Sequence, residues 1–263
     1  MKSMWDWSTL LKSEEFALPS LDQQGRIAEI LWAVDRVVTK TSFAVTAANA
    51  VVESELHHFL YHSSKWVVSE ARHLLADGPR NGISPPTSDN GPGLPTLSIS
   101  AIRGGFVIPE GNLKYAAVSP NDVEQFKLRR SDILAVRDNG NRQLCGRAGI
   151  VREFPEGCFY PDLLIRLRFR PDCLLPEFAV LQWNEPKTHS RLLQKAKSTN
   201  GIWKVNGQDI KSHRLAAPPL NEQERFLKRL KTRAANVEAL LASASDVVAL
   251  QRSLINTFLR DTP

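Results

Sequence analysis

The chain has 263 residues, a formal net charge of +6 and 42% hydrophobic residues, with a pI near 9.3. That length accommodates one domain with appendages around a sizeable core. No apolar run approaches membrane-spanning length, and Met1-Lys-Ser-Met-Trp-Asp-Trp7 lacks the apolar segment of a secretion signal. Cys145, Cys158 and Cys173 are odd in number and show no paired spacing, so a reduced, cytoplasmic protein without a membrane partner is expected. The positive charge is concentrated. Residues 64–217 hold about 22 Lys/Arg against about 15 Asp/Glu, while the flanks nearly balance, so a polyanion is expected to meet the middle of the chain.

The first stretch, residues 1–19, carries Trp5, Trp7, Leu10, Leu11 and Phe16 without a partner element of its own. It reads either as a short arm packing on the following helix or as the tail of a second domain of the central kind. The second option comes from an internal repeat. Leu18–Leu60 aligns without a gap on Ala217–Leu259, placing Pro19 on Pro218, Leu21 on Leu220, Gln24 on Gln223 and Phe59 on Phe258. The register continues upstream, where Lys12-Ser13 meets Lys211-Ser212, so residues 1–19 match residues 200–218.

Each copy reads as one long helix, over 20–63 and 218–263. Asp22 and Asn221 are the expected N-caps. The first apolar seam is Ile27, Leu31, Val34, Val38, Val45, Ala48, Val52, Leu56 and Phe59, interrupted at Thr41. The second is Phe226, Leu230, Val237, Leu240, Ala244, Val247, Leu254 and Phe258. A lone helix cannot bury such a stripe, so the two are expected to pair as an antiparallel coiled coil and to dock partner proteins. The docking set is Leu31, Val38, Val45, Leu56, Leu230, Val237, Leu240, Val247 and Leu254.

Between them lies a mixed α/β (α+β) domain over 64–217. Ser64–Ala76 reads as helix, and Asp77–Pro86 and Thr87–Pro95 read as turn-rich loops. Strands are expected at Leu97–Ala101, Phe106–Ile108, Ile133–Arg137, Gly149–Arg152 and Leu163–Phe169. A short helix is expected at Pro120–Phe126, and one or two more over Pro176–Ala196, broken by Pro186.

Three loops concentrate Arg, Lys, Asn and Gly: Gly78–Gly82, Arg137–Arg142 and Lys195–Asn206. Arginine presents a fork to guanine and phosphate, asparagine presents one to adenine, and glycine lets a backbone approach a groove closely. Any single loop of this kind is an ordinary surface turn. Three in one basic domain point to nucleic acid.

At this point the chain resembles the specificity subunit of type I restriction-modification enzymes, in a half-length form. The residues that carry the resemblance are Gly78-Pro-Arg-Asn-Gly-Ile-Ser84, Leu97-Ser-Ile-Ser-Ala-Ile102 and Arg130-Ser-Asp-Ile-Leu-Ala-Val-Arg-Asp-Asn-Gly140. Gly146-Arg-Ala-Gly-Ile-Val151, Tyr160-Pro-Asp-Leu-Leu-Ile-Arg166 and the two Pro-x-Leu-(Asp/Asn)-x-Gln helix starts complete the set. The resemblance implies a non-catalytic host-defence subunit whose target recognition domain reads half of a split double-stranded DNA site. It also implies long helices that hold two such domains apart and dock DNA adenine methyltransferase subunits, with a restriction/translocase subunit joining through the complex. A full subunit has two recognition domains and this chain has one, so a homodimer is a further expectation.

For base reading the expected residues are Arg80, Asn81, Asn139, Arg142 and Asn200; for phosphate anchoring they are Arg103, Arg130, Arg147, Lys197 and Lys204. Arg137 reads as a structural alternative.

Catalytic readings find less support. Asp162 followed by Glu185-Pro-Lys187 mimics the order of a metal-dependent nuclease, but Pro186 sits between acid and lysine in a helical context. Pro85-Pro86-Thr87 lacks the aromatic residue of an amino-methyltransferase loop, and no glycine-rich cofactor or phosphate turn occurs. His57, His58 and His62 read as solvated helix histidines rather than metal ligands. No metal or cofactor is expected. The remaining rival is a coiled-coil scaffold that binds only proteins.

Overall fold

A computed structural model describes residues 20–62 and 66–260, with side chains 240, 251–252 and 254–260 outside the description. The expectations for residues 1–19 and for Leu240 and Leu254 therefore lie outside the described residues.

Two helices of 41 residues bracket the chain, α1 at Leu21–Tyr61 and α5 at Leu220–Arg260. They begin at repeat-equivalent positions, but neither begins as the cap residues had implied. At α1 the cap is Ser20, whose Oγ accepts from the Gln23 amide while the Gln23 side chain accepts from the Ser20 amide. This is a reciprocal capping box, and it leaves Asp22 inside the first turn. At α5 the equivalent residue is Pro219, which has no side-chain acceptor. Its carbonyl takes the Glu222 and Gln223 amides instead, and Asn221 lies within the helix.

The chain divides into two compact units, one of residues 1–51 and 231–263, the other Val52–Leu230. In the first unit the less exposed positions of α1 are Gln23, Ile27, Ala28, Ile30, Val34, Thr41, Ala44, Val45 and Ala48. Those of α5 are Arg233, Val237, Ala244, Val247 and Val248. Both sets step by three and four, the spacing of a helical seam. Leu31 and Val38 are exposed.

In the second unit a six-stranded sheet forms the framework. Its strands are β2 Leu75–Asn81, β4 Ile102–Arg103, β5 Phe106–Val107, β7 Ile133–Val136, β9 Ala148–Ile150 and β10 Leu164–Phe169. They lie in the order β2-β10-β7-β9-β5-β4. Only β5 and β9 run parallel. Alternation along β7 explains its unbroken apolar sequence. Ile133 and Ala135 face a core with α2 (Pro176–Asn184), while Leu134 and Val136 face another with Leu97, Val151 and Tyr160. A sheet covered on both faces needs apolar residues at every position.

The first core also takes in the inner ends of both long helices. Phe226 is fully buried, and its ring lies 4.8 Å from Phe59 and 6.0 Å from Phe178. Gln223 is buried too, accepting from the Leu175 amide and donating to the carbonyls of Cys173 and Pro218.

Four local expectations are corrected. Leu97–Ala101, expected as a strand, holds only the last residue of a strand at Leu94–Leu97, followed by a 3-10 turn at Ile99–Ala101. Ser64–Ala76 is not a helix where it is described. Val67–Glu70 forms β1, paired with β13 at Arg214–Ala217; a 3-10 turn follows at Ala71–His73, and β2 begins at Leu75. The β-branched pair Val67-Val68 finds a strand partner far along the chain, which no local pattern reveals. Asp77–Asn81 is strand rather than loop. It tolerates Gly78-Pro79 because β2 is an edge strand and its pairing with β10 is irregular beside Arg166 and Arg168. Gly78 has φ +96°, and a Cβ there would meet the Arg166 carbonyl at 2.7 Å. Finally, Pro120–Phe126 holds only a 3-10 turn at Glu124–Phe126.

The remaining elements are β3 Leu94–Leu97 paired with β6 Leu113–Ala116, and helix α3 at Pro186–Leu193. A three-stranded sheet of β11 Lys197–Thr199, β12 Ile202–Lys204 and β8 Asp138–Asn139 follows, with α4 at Gly207–Lys211.

Candidate nucleic-acid interface

The segment Lys195–Asn206, expected as a loop, is a β-hairpin. Lys197 pairs with Lys204, Ser198 with Trp203 and Thr199 with Ile202. The turn is Asn200-Gly201, with φ of +52° and +77°. Two consecutive positive φ values define the tight turn whose twist matches paired strands, and Asn-Gly is its preferred sequence. That dipeptide was the available signal.

Directly paired residues share a face, so the hairpin has two distinct sides. Lys197, Thr199, Ile202 and Lys204 form one, and all four are exposed. Ser198 and Trp203 form the other. There the guanidinium of Arg142 sits 4.7 Å from the Trp203 ring centre, and its Nη2 reaches the Leu193 carbonyl at 3.5 Å. Trp203 also pairs with Asn139 of β8, while Lys204 pairs with Asp138 and lies 3.5 Å from its carboxylate. The Asn139 side chain accepts the Asn141 amide and so shapes the Asp138–Arg142 turn. Five of the expected residues thus meet here: Asn139, Arg142, Lys197, Asn200 and Lys204. Thr199, Ile202 and Trp203 belong to the same site and had not been singled out.

A second basic group lies along the β4–β5 hairpin. Arg103 pairs with Phe106, and the Arg152 guanidinium sits 4.4 Å from the Phe106 ring. Arg130 donates to the Arg152 carbonyl and Arg103 to the Ser100 carbonyl. Arg103 and Arg130 both remain exposed.

Of the other expected residues, Arg80 and Arg147 are held within the domain. Arg80 donates to Gln125 at 2.8 Å and lies 3.7 Å from Asp77, in a network where Arg166 and Arg168 also engage Asp77. Burial raises the Asp77 pKa, but Arg166 and Arg80 outweigh it and hold the carboxyl below its usual range. Asn81 is exposed at the end of β2. Arg147 donates to the carbonyls of Asn184, at 2.7 Å, and Gln143. Burial depresses its pKa. Arg137 lies 3.5 Å from Asp162 and 3.6 Å from Asp138.

Glu185, the second acid of the nuclease-like order, is 3% exposed. Its carboxylate accepts from the Thr188 amide at 2.7 Å, capping α3, from His57 Nδ1 at 2.8 Å and from Tyr61 at 3.0 Å. Burial would raise its pKa, but the His57 and Thr188 hydrogen bonds hold it down. His57 is accordingly engaged rather than simply solvated. Asp162 instead bonds Ser84 and lies near Arg137. Glu185 is a fastening between α1 and α3, and both of its oxygens are occupied.

Among curated proteins, the EcoKI specificity subunit of Escherichia coli (strain K12), a type I restriction enzyme component, is 29% identical over 181 residues, 68% of this chain and 39% of that protein. The StySPI specificity subunit of Salmonella potsdam is 23% identical over 257 residues, 92% of this chain and 55% of that protein. The chain is similar to type I restriction specificity subunits. It spans about half the length of these relatives. No family model matches the chain.

The solved structures share the specificity-subunit fold. The HsdS subunit from Thermoanaerobacter tengcongensis superposes with a TM-score of 0.56 at 19% identity, covering 94% of this chain and 60% of that one. The type I S subunit from M. genitalium gives 0.54 at 12%, covering 91% and 60%. A chain from a structure of type I R-M complex assembly and conformational transition gives 0.63 at 20%, covering 94% and 61%. No described helix is long and apolar enough to cross a membrane.

Proposed function

We propose that this chain is a DNA-recognition subunit of a type I restriction-modification complex, without catalysis of its own. The observation that carries this reading is the exposed hairpin face with Lys197 and Lys204 at its base, in a chain whose sequence relatives are specificity subunits. A two-stranded ribbon fits the DNA major groove, and lysines beside it supply sequence-independent attraction to phosphates. Arg103 and Arg130 extend that attraction, and Asn200 at the turn reads a base edge.

One recognition domain reads one half of a bipartite site. The long helices pair as an antiparallel coiled coil, which accounts for the 9% exposure of Val34 on a helix that alone would leave it open. The exposed Leu31 and Val38 then belong to the surface that docks DNA adenine methyltransferase subunits, through which the restriction/translocase subunit joins. A second copy of this chain offers the other half of the site by two-fold symmetry.

Duplex DNA binding measured across a salt series, with the chain alone and with a methyltransferase subunit, tests the reading. Affinity should fall steeply and log-linearly with salt. A flat response in both preparations favours the protein-binding scaffold instead.

A further inference from the structure

The solvent face of the hairpin has a chemical pattern that simple phosphate binding does not use. At its base stand Lys197 and Lys204. One alternation nearer the tip, about 7 Å on, stand Thr199 and Ile202, a directly opposed pair that flanks the turn. Ile202 is 43% exposed and belongs to none of the three hydrophobic cores. The domain instead supports the hairpin from its other face, through Trp203, Arg142 and Asn139. Isoleucine at 202 is therefore not required by the packing behind the ribbon. It forms, with the Thr199 methyl, a small apolar centre at the projecting end of a cationic strand pair.

Resting on the DNA reading proposed above, we infer that Ile202 is a specificity-determining residue that reads the C5-methyl group of thymine in the major groove, with Thr199 beside it. The major-groove edges present one apolar group, the thymine methyl, and otherwise hydrogen-bonding atoms. A side chain without donors or acceptors leaves those atoms unpaired when pressed against the other bases, a desolvation cost that favours thymine. The arrangement fits the groove in order. The lysines stand apart at the ribbon's base, where the backbones pass, while Ile202, Thr199 and Asn200 lie at the end that enters deepest. Asn200 adds an amide able to bond adenine N6 and N7, so the half-site recognised here contains at least one A·T pair.

The test uses the full chain assembled with a methyltransferase subunit. Tight-binding duplexes are selected from a randomised pool, and the selected sequences are remade with deoxyuridine at each thymine in turn, which deletes only the methyl group. One position should show a loss of affinity of about fourfold, the worth of one buried carbon, and Ile202→Ala should abolish the difference between thymine and uracil there. Lys197→Ala should weaken both duplexes equally and keep the difference. If the complex binds selected duplexes with a steep salt dependence but no position distinguishes thymine from uracil, or if Ile202→Ala leaves the distinction intact, the inference is overturned and the DNA reading stands. If no duplex is enriched and binding is insensitive to salt, the reading beneath it fails as well.

Discussion

The Asp77 network and the β11–β12 hairpin are both rich in cationic side chains, yet they do opposite work. In the network Arg166 is 2% exposed, its guanidinium 2.6 Å from Asp77 and its Nη1 on the Gln125 carbonyl, while Arg168 bridges Asp77 and Asp132. On the hairpin, Lys197 and Lys204 are exposed, and among the described residues only Lys204 has a carboxylate near it, at 3.5 Å. A buried cation must be matched by acids because the interior does not solvate it, whereas an exposed one remains available to an outside anion. Charge content alone does not separate a stabilising arginine from a binding lysine. Surroundings do.

The sharpest way to break this contrast is to remove the acid. Asp77→Ala leaves Arg166 buried beside Arg80 and Arg168, and denaturant unfolding should show a loss of about 3 kcal/mol. Lys197→Ala together with Lys204→Ala should change stability by less than about 0.5 kcal/mol. Equal losses in the two proteins would erase the distinction between network and hairpin.

A second effect concerns pH. His213 is buried against Trp183, facing Lys195, Arg191 and His189, and burial foremost pushes its pKa from 6.5 down to about 3. In the unfolded chain the imidazole takes up a proton below pH 6.5, while in the folded chain it stays neutral to about pH 3. Acid therefore favours unfolding across that window, by up to about 1.4 kcal/mol per pH unit. Thermal melts from pH 7 to pH 4 should show this slope, reduced in His213→Gln. The hairpin lysine variants should keep the wild-type slope.

Much of the fold is legible in the sequence. The duplicated segments carry their own register, and β7 announces burial on both faces through its unbroken apolar run. Val67–Glu70 is not legible, because its strand character depends on Arg214–Ala217, and β2 is hidden by Gly78-Pro79, which normally marks a turn. At the site, the Lys and Asn of the hairpin can be picked out from composition. Their arrangement on two faces depends on the Asn200-Gly201 turn, which sets which residues pair. The commitments of Arg80 to Gln125 and of Arg147 to the Asn184 carbonyl follow from tertiary contacts alone, and no local pattern marks those two guanidinium groups as different from Arg103 or Arg130. Glu185 looks like a nuclease acid in sequence order, and only the approach of His57 and Tyr61 from α1 shows it to be a fastening.

The most direct measurement is the salt dependence of duplex DNA binding by the chain with a methyltransferase subunit, compared between wild type and the Lys197→Ala/Lys204→Ala variant. Each phosphate contact contributes close to one unit of slope in log affinity against log salt, so the variant's slope should be shallower by about 2 while its stability is unchanged. An unchanged slope in a folded variant would contradict the assignment of the hairpin as the DNA-facing element.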